Sequence, residues 1–230
     1  MAGETIKSRG VCLRIAPWSM TSHVVSWLTP LGRVSTIVKG AVRPKSMFLG
    51  QYDLGYTCEI VYYARGRSEV RALREAYPLE PRSDIRDSMH ALALSDRFRH
   101  LAELLVPNGP DAAEWFDALS YYLDELVTLA QMRENACKYA LRLLIGFEMK
   151  VLGMMGIDPS IGEEGGSFAL KGERKLPISA EVARCLANPT NEKNLNILLD
   201  ATRAIGVFYT FHLENAVSGR RQIVNMISKT

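Results

Sequence analysis

The feature that most constrains this chain is a change of hydrophobic period at Pro81. Before it, apolar residues alternate; after it, they recur every three or four positions. Val11, Leu13 and Ile15 alternate with Cys12 and Arg14, the signature of a half-buried strand. Residues 23–29 (HVVSWLT) form a β-branched and aromatic run ended by the turn residues Pro30, Leu31 and Gly32. Residues 33–39 (RVSTIVK) follow and are closed by Gly40. Cys58, Ile60 and Tyr62 then alternate with Thr57, Glu59 and Val61, and a last segment, 68–77, precedes Pro78 and Pro81. Five short strands punctuated by turns predict a small barrel.

Beyond Pro81, Leu94, Phe98, Leu101 and Leu105 lie on one face of a helix that Pro107, Gly109 and Pro110 stop. Asp111 is placed to cap a second helix with Phe116, Leu119, Leu123 and Leu126 inward. A third spans 134–155, broadly apolar and therefore central. Residues 157–177 are Gly-rich and polar, an irregular excursion in which Ile161, Phe168 and Leu170 are the apolar side chains available for packing. Ser179 is placed to cap a short helix through Leu186, and a long final helix carries Leu195, Leu198, Thr202, Ile205 and Tyr209 along one stripe. The expected class is α+β: a five-stranded barrel over 1–80, then a helical bundle over 81–230.

Charge separates the same two parts. Residues 1–80 hold eleven Lys and Arg against six Asp and Glu, or +5; the remainder hold seventeen against nineteen, or −2, together the +3 of the whole chain. A positive field confined to the barrel points to a polyanionic partner. The alternative is an adaptor whose basic barrel meets acidic proteins. Cysteines 12, 58, 137 and 185 are far apart, so neither a disulfide framework nor a C-x-x-C metal site is expected. Reduced thiols, no apolar run near the roughly 20 residues of a membrane span, and no leader at the N-terminus predict a soluble cytoplasmic protein.

Catalytic signatures are missing. The chain has no Gly-Lys dipeptide, hence no phosphate loop of the G-x-x-x-x-G-K type. His23, His90, His100 and His212 have no ligand spacing with each other or with cysteine. No cofactor is expected, and the chain reads as a non-enzyme.

The polyanion is expected at residues 33–51. Arg33 and Lys39 flank a strand, Gly40 permits a bend, and Arg43, Pro44 and Lys45 hold two cations on a stiffened segment. Cations on a preset loop suit a phosphodiester backbone, because each contact releases a condensed counterion. Trp18, Trp27, Phe48, Tyr52 and Tyr56 are the nearby rings; in a barrel this small most are expected to fill the core, with Trp18, in Pro17-Trp18-Ser19, the best placed to be exposed for base stacking.

The stretches GVCLRI, TPLGRVSTIVKGAVRPKS, LREAYPL at 73–79, DRFRHLAELL, and RLLIGFEMKVLGMMGIDP at 142–159 resemble the bacterial RecO family of DNA repair and recombination mediators. The resemblance implies an N-terminal OB-fold and a helical C-terminal domain. It implies binding of single- and double-stranded DNA and annealing of strands held by single-strand-binding protein. It further implies action with RecR to load RecA, in the cytoplasm at the nucleoid and with no role for a membrane. The family's basic OB-fold positions map to Arg33, Lys39, Arg43 and Lys45, with Arg14 besides. The groove that takes the acidic C-terminal tail of single-strand-binding protein is expected at Lys138, Leu141, Arg142 and Ile145. Many members carry a four-cysteine zinc module where this chain has 157–177. No cysteine occurs between Cys137 and Cys185, so no metal is expected there.

Overall fold

The structure, a computed structural model, describes residues 4–64, 69–107, 112–157, 166–169 and 175–228. Five strands, β1 (Thr5–Ser19), β2 (Ser22–Thr29), β3 (Gly32–Val38), β4 (Thr57–Tyr63) and β5 (Val70–Glu80), close into a barrel in the order β1-β2-β3-β5-β4. Neighbours are antiparallel except β3 and β5, which run parallel. This is the arrangement of an OB-fold. Helices follow: α1 (Met89–Leu105), α2 (Ala112–Gln131), α3 (Ala136–Met154), α4 (Ala180–Ala187), α5 (Leu195–His212) and α6 (Arg220–Ser228).

β1 is far longer than alternation alone predicts, because its two halves pair with different strands. Thr5–Val11 pairs with β4 and Val11–Ser19 with β2. A bulge between Cys12 and Arg14 re-aims the strand between the two partners. The bulged Leu13 keeps its carbonyl satisfied through Arg99 Nη1, 2.6 Å away. Inside, Cys12, Val25, Trp27, Val38, Cys58, Ile60, Leu73 and Ala76 make the barrel core. Trp27 Nε1 donates to Thr36 Oγ1 at 2.8 Å, so the buried indole has its partner. Burial pushes the Cys58 thiol up to about 12, a reduced and unreactive side chain.

Contacts divide the chain into two units, Met1–Ser83 with Phe98–Asp124, and Asp84–Arg97 with Glu125–Thr230. In the second, α3 packs on α5, and α5 on α4 and α6. Ser179 Oγ accepts the Val182 amide at 3.2 Å and starts α4, as its position in the sequence predicts. α6 was not anticipated: its polar run RRQIVNMIS buries only Arg220 and Ile227. Within the expected irregular excursion, β6 (Gly166–Ala169) and β7 (Lys175–Ile178) pair antiparallel, Phe168 opposite Leu176. Asp111, Ile161, Leu170 and the Phe168 side chain lie outside the described residues. Among the described residues no helix is long and apolar enough to cross a membrane.

Candidate nucleic-acid interface

The alternation in β3 decides what the barrel shows to solvent. Thr36 and Val38 are buried, so Arg33, Ser35 and Ile37 face outward. Lys39 continues that row. Arg33 and Lys39 are six residues apart, about 20 Å of extended chain at roughly 3.3 Å per residue. That matches the axial rise of about six base pairs of a duplex.

Gly40, at φ +68°, then turns the chain. Arg43 N donates to Gly40 O at 3.2 Å, Ser46 N to Arg43 O at 2.9 Å and Gln51 N to Phe48 O at 3.1 Å, so residues 40–51 are wound in successive tight turns. Ala41, Phe48 and Tyr52 anchor this segment in the barrel core, which leaves Val42, Arg43, Lys45, Met47 and Leu49 exposed. The segment is tied to the β1–β2 turn by Val42 N to Thr21 O at 3.4 Å and Gly40 N to Ser22 Oγ at 3.3 Å.

The result is a hollow of about 500 Å³ lined by Trp18, Ser19, Thr21, Ile37, Lys39 and Arg43, among others. Trp18 closes β1 rather than sitting in the turn, and is 66% exposed. Beside it Met20 is 97% exposed. Lys45 stands exposed on the loop but does not line the hollow. Among the described residues, no carboxylate pairs with Lys39, Arg43 or Lys45.

Arg14 and Arg33 belong to a second hollow, of about 580 Å³, with Arg71, Ser26, Ser35 and Tyr62. Register brings them together: Arg14 faces Ser26 across β1 and β2, and Ser26 faces Ser35 across β2 and β3. Unlike the first hollow, this one contains acids, Glu69 and Glu103. Arg14 Nε lies 2.7 Å from Glu103 Oε1, and Arg33 Nη1 donates to the Glu103 carbonyl. The six barrel positions expected from sequence thus fall into an open group (Trp18, Lys39, Arg43, with Lys45 near) and an occupied pair (Arg14, Arg33).

Trp27, Phe48 and Tyr52 are core residues and Tyr56 packs against that core, as expected of most rings in so small a barrel. One expectation needs correction. The expected peptide groove on α3 is not open: Leu141 and Ile145 are both fully buried. Arg142 Nε donates to the Glu192 carbonyl at 2.7 Å and is used up in holding the chain before α5. Lys138 is half-buried.

Sequence reasoning missed a buried ionic cluster in the second unit. Glu148 is wholly buried in α3; Arg97 Nη2 lies 2.8 Å from its Oε1 and Arg220 Nη2 2.7 Å from its Oε2. Tyr209 OH donates to the Glu148 carbonyl at 3.1 Å and Arg220 Nη2 to Thr202 O at 2.8 Å. Burial alone would raise the Glu148 carboxyl, but Arg220 and Arg97 beside it hold it below the usual carboxylate range. Gly206 makes room: a Cβ there would sit 2.4 Å from Arg220 Nη1. One sequence signal existed, since Glu148 lies one turn from Leu144 and Leu152 on an apolar stripe, where a carboxylate requires a cation. Among the described residues no group of three or more His, Cys, Asp or Glu is placed to hold a metal ion.

A closed five-stranded barrel with a basic outer row, followed by helices, defines a protein of the OB-fold class. No family model matches the chain. Among curated proteins it is 26% identical over 156 residues to DNA repair protein RecO of Chlorobium phaeobacteroides strain BS1, covering 67% of this chain and 57% of that protein. It is also 26% identical over 162 residues to DNA repair protein RecO of strain DSM 266 of the same species, covering 68% and 58%. To DNA repair protein RecO of Chloroherpeton thalassium it is 21% identical over 254 residues, covering 96% and 98%. The match thus spans less than two thirds of the length of the first two relatives and nearly all of the third. These relatives share one name, and the chain is similar to each of them over two thirds of its own length or more.

Proposed function

We propose that this chain is a DNA repair protein of the RecO kind: a non-enzymatic mediator that binds single- and double-stranded DNA and anneals complementary strands. In this reading it acts with RecR and single-strand-binding protein to load RecA. The observation that carries the proposal is the open group at one end of the barrel, where Lys39, Arg43 and Lys45 stand without carboxylates beside an exposed Trp18. Cations supply backbone affinity, and an indole in solvent supplies a face on which any base stacks. Neither feature reads sequence, so binding is general. For the acidic tail of single-strand-binding protein, the suitable hollow in the second unit lies between α5 and α6. It measures about 540 Å³, with Val207, Val217 and Val224 on its walls and the exposed Arg203 and Arg221 at its rim.

A strand-annealing assay with and without single-strand-binding protein tests the reading. Annealing of both bare and protein-coated strands is expected, with similar affinity for unrelated oligonucleotides. The adaptor alternative draws on Met20, Met47 and Leu49, exposed apolar side chains next to the same cations. It predicts no shift of a plain oligonucleotide in a gel.

A further inference from the structure

Arg14 and Arg33 are the two barrel cations already engaged, and one residue engages both. Glu103 lies in the last turn of α1, two residues before its end at Leu105, and belongs to the same unit as the barrel. Its carboxylate takes Arg14 at 2.7 Å and its backbone carbonyl takes Arg33. The last four carbonyls of a helix lack intrahelical partners and form the negative end of its dipole. The hollow therefore receives a carboxylate and a helix C-terminus together, ringed by Arg14, Arg33, Arg71, Ser26 and Ser35. Guanidinium forks and hydroxyls on one concave face are the donor set that suits a phosphodiester.

We propose that Glu103 is a built-in competitor for the phosphate backbone at this hollow. At rest it neutralises Arg14, and the open group around Arg43 makes the first contact with a strand. As the strand extends along the outer row of β3, a phosphate displaces the Glu103 carboxylate from Arg14. The exchange is favourable because a half-exposed surface ion pair is weak, whereas each phosphate neutralised releases a counterion. The arrangement restrains the barrel from holding short anionic segments tightly. This proposal rests on the reading of the barrel as a DNA-binding face.

Fluorescence anisotropy of a labelled oligo-dT strand across a salt series tests it, using the full chain, Glu103→Gln, Arg14→Ala and the double variant. Glu103→Gln is expected to bind about threefold to fivefold more tightly at low salt, with a log–log slope steeper by about 0.7. Arg14→Ala alone should weaken binding and make the slope shallower by about 0.7, and the gain from Glu103→Gln should vanish in its background. A control substitution, Glu181→Gln in α4, should give no gain. A gain that survives in Arg14→Ala, or that Glu181→Gln reproduces, is a general charge effect and overturns the proposal. Binding by all proteins with no gain for Glu103→Gln overturns it while leaving the DNA reading intact. Absence of binding by every protein removes the DNA reading, and this proposal with it.

Discussion

Arg43 and Arg220 show what the same side chain does in two environments. Arg43 stands in solvent beside Lys39, and among the described residues no carboxylate meets it. Arg220 and Arg97 are 7% and 1% exposed at their side chains and share one carboxylate, Glu148. Taking a guanidinium out of water carries a large desolvation cost, so a buried one must find every partner within the fold. An exposed one has no such need, and its unspent hydrogen bonds are available to a ligand. Arg97 and Arg220 thus specify structure in the second unit, whereas Arg43 in the barrel is kept for an anion.

The largest effect expected is from Glu148→Gln. Removing one member of a buried ionic cluster leaves two guanidiniums uncompensated, at a cost of about 3–5 kcal/mol, read from urea unfolding. The pH dependence follows the same group. The folded carboxyl lies below its unfolded value, so its stabilisation is complete above the ordinary glutamate range and is lost as pH falls through the folded value. Glu148→Gln should lack that component of acid unfolding. Wild-type stability in this variant would contradict the account of the second unit.

Gly206→Ala is next, and its sign is the test. An alanine within a helix ordinarily gains about 1 kcal/mol over glycine. Here the new Cβ meets Arg220 Nη1, whose guanidinium is pinned to Glu148, so a net loss of about 1–3 kcal/mol is expected from thermal unfolding. A raised melting temperature would show that Arg220 is free to move. Trp18→Ala sharpens the other side of the comparison. It should weaken single-strand binding by about 1–3 kcal/mol in an anisotropy titration and leave duplex binding and stability nearly unchanged. An equal loss on duplex DNA would mean that Trp18 shapes the hollow rather than stacking on bases.

Sequence pattern revealed the barrel well, because one face of each strand must be apolar. The alternation at Arg33, Ser35 and Ile37 against Thr36 and Val38 gives the outer row directly. The length of β1 was not legible, since pairing with two neighbours through a bulge leaves no mark in the period. The aromatic residues divided as a small barrel requires, with Trp27, Phe48 and Tyr52 serving the core before any ligand. Trp18 differs only in lying past the last core position of its strand. The buried cluster joins Arg97, Glu148 and Arg220, which are distant in sequence, so only tertiary structure brings them together. Glu103 was hidden for the same reason: on its helix it looks like any solvent-facing acid.

The central claim is that the open cations around Arg43 are the primary contact for the phosphate backbone. The most direct measurement is the salt dependence of oligo-dT binding by the wild type and by the double substitution Arg43→Ala and Lys45→Ala. Loss of two phosphate contacts predicts a log–log slope shallower by about 1.4, equal weakening for unrelated sequences, and unchanged unfolding. An unchanged slope, or a loss confined to one sequence, would contradict the claim.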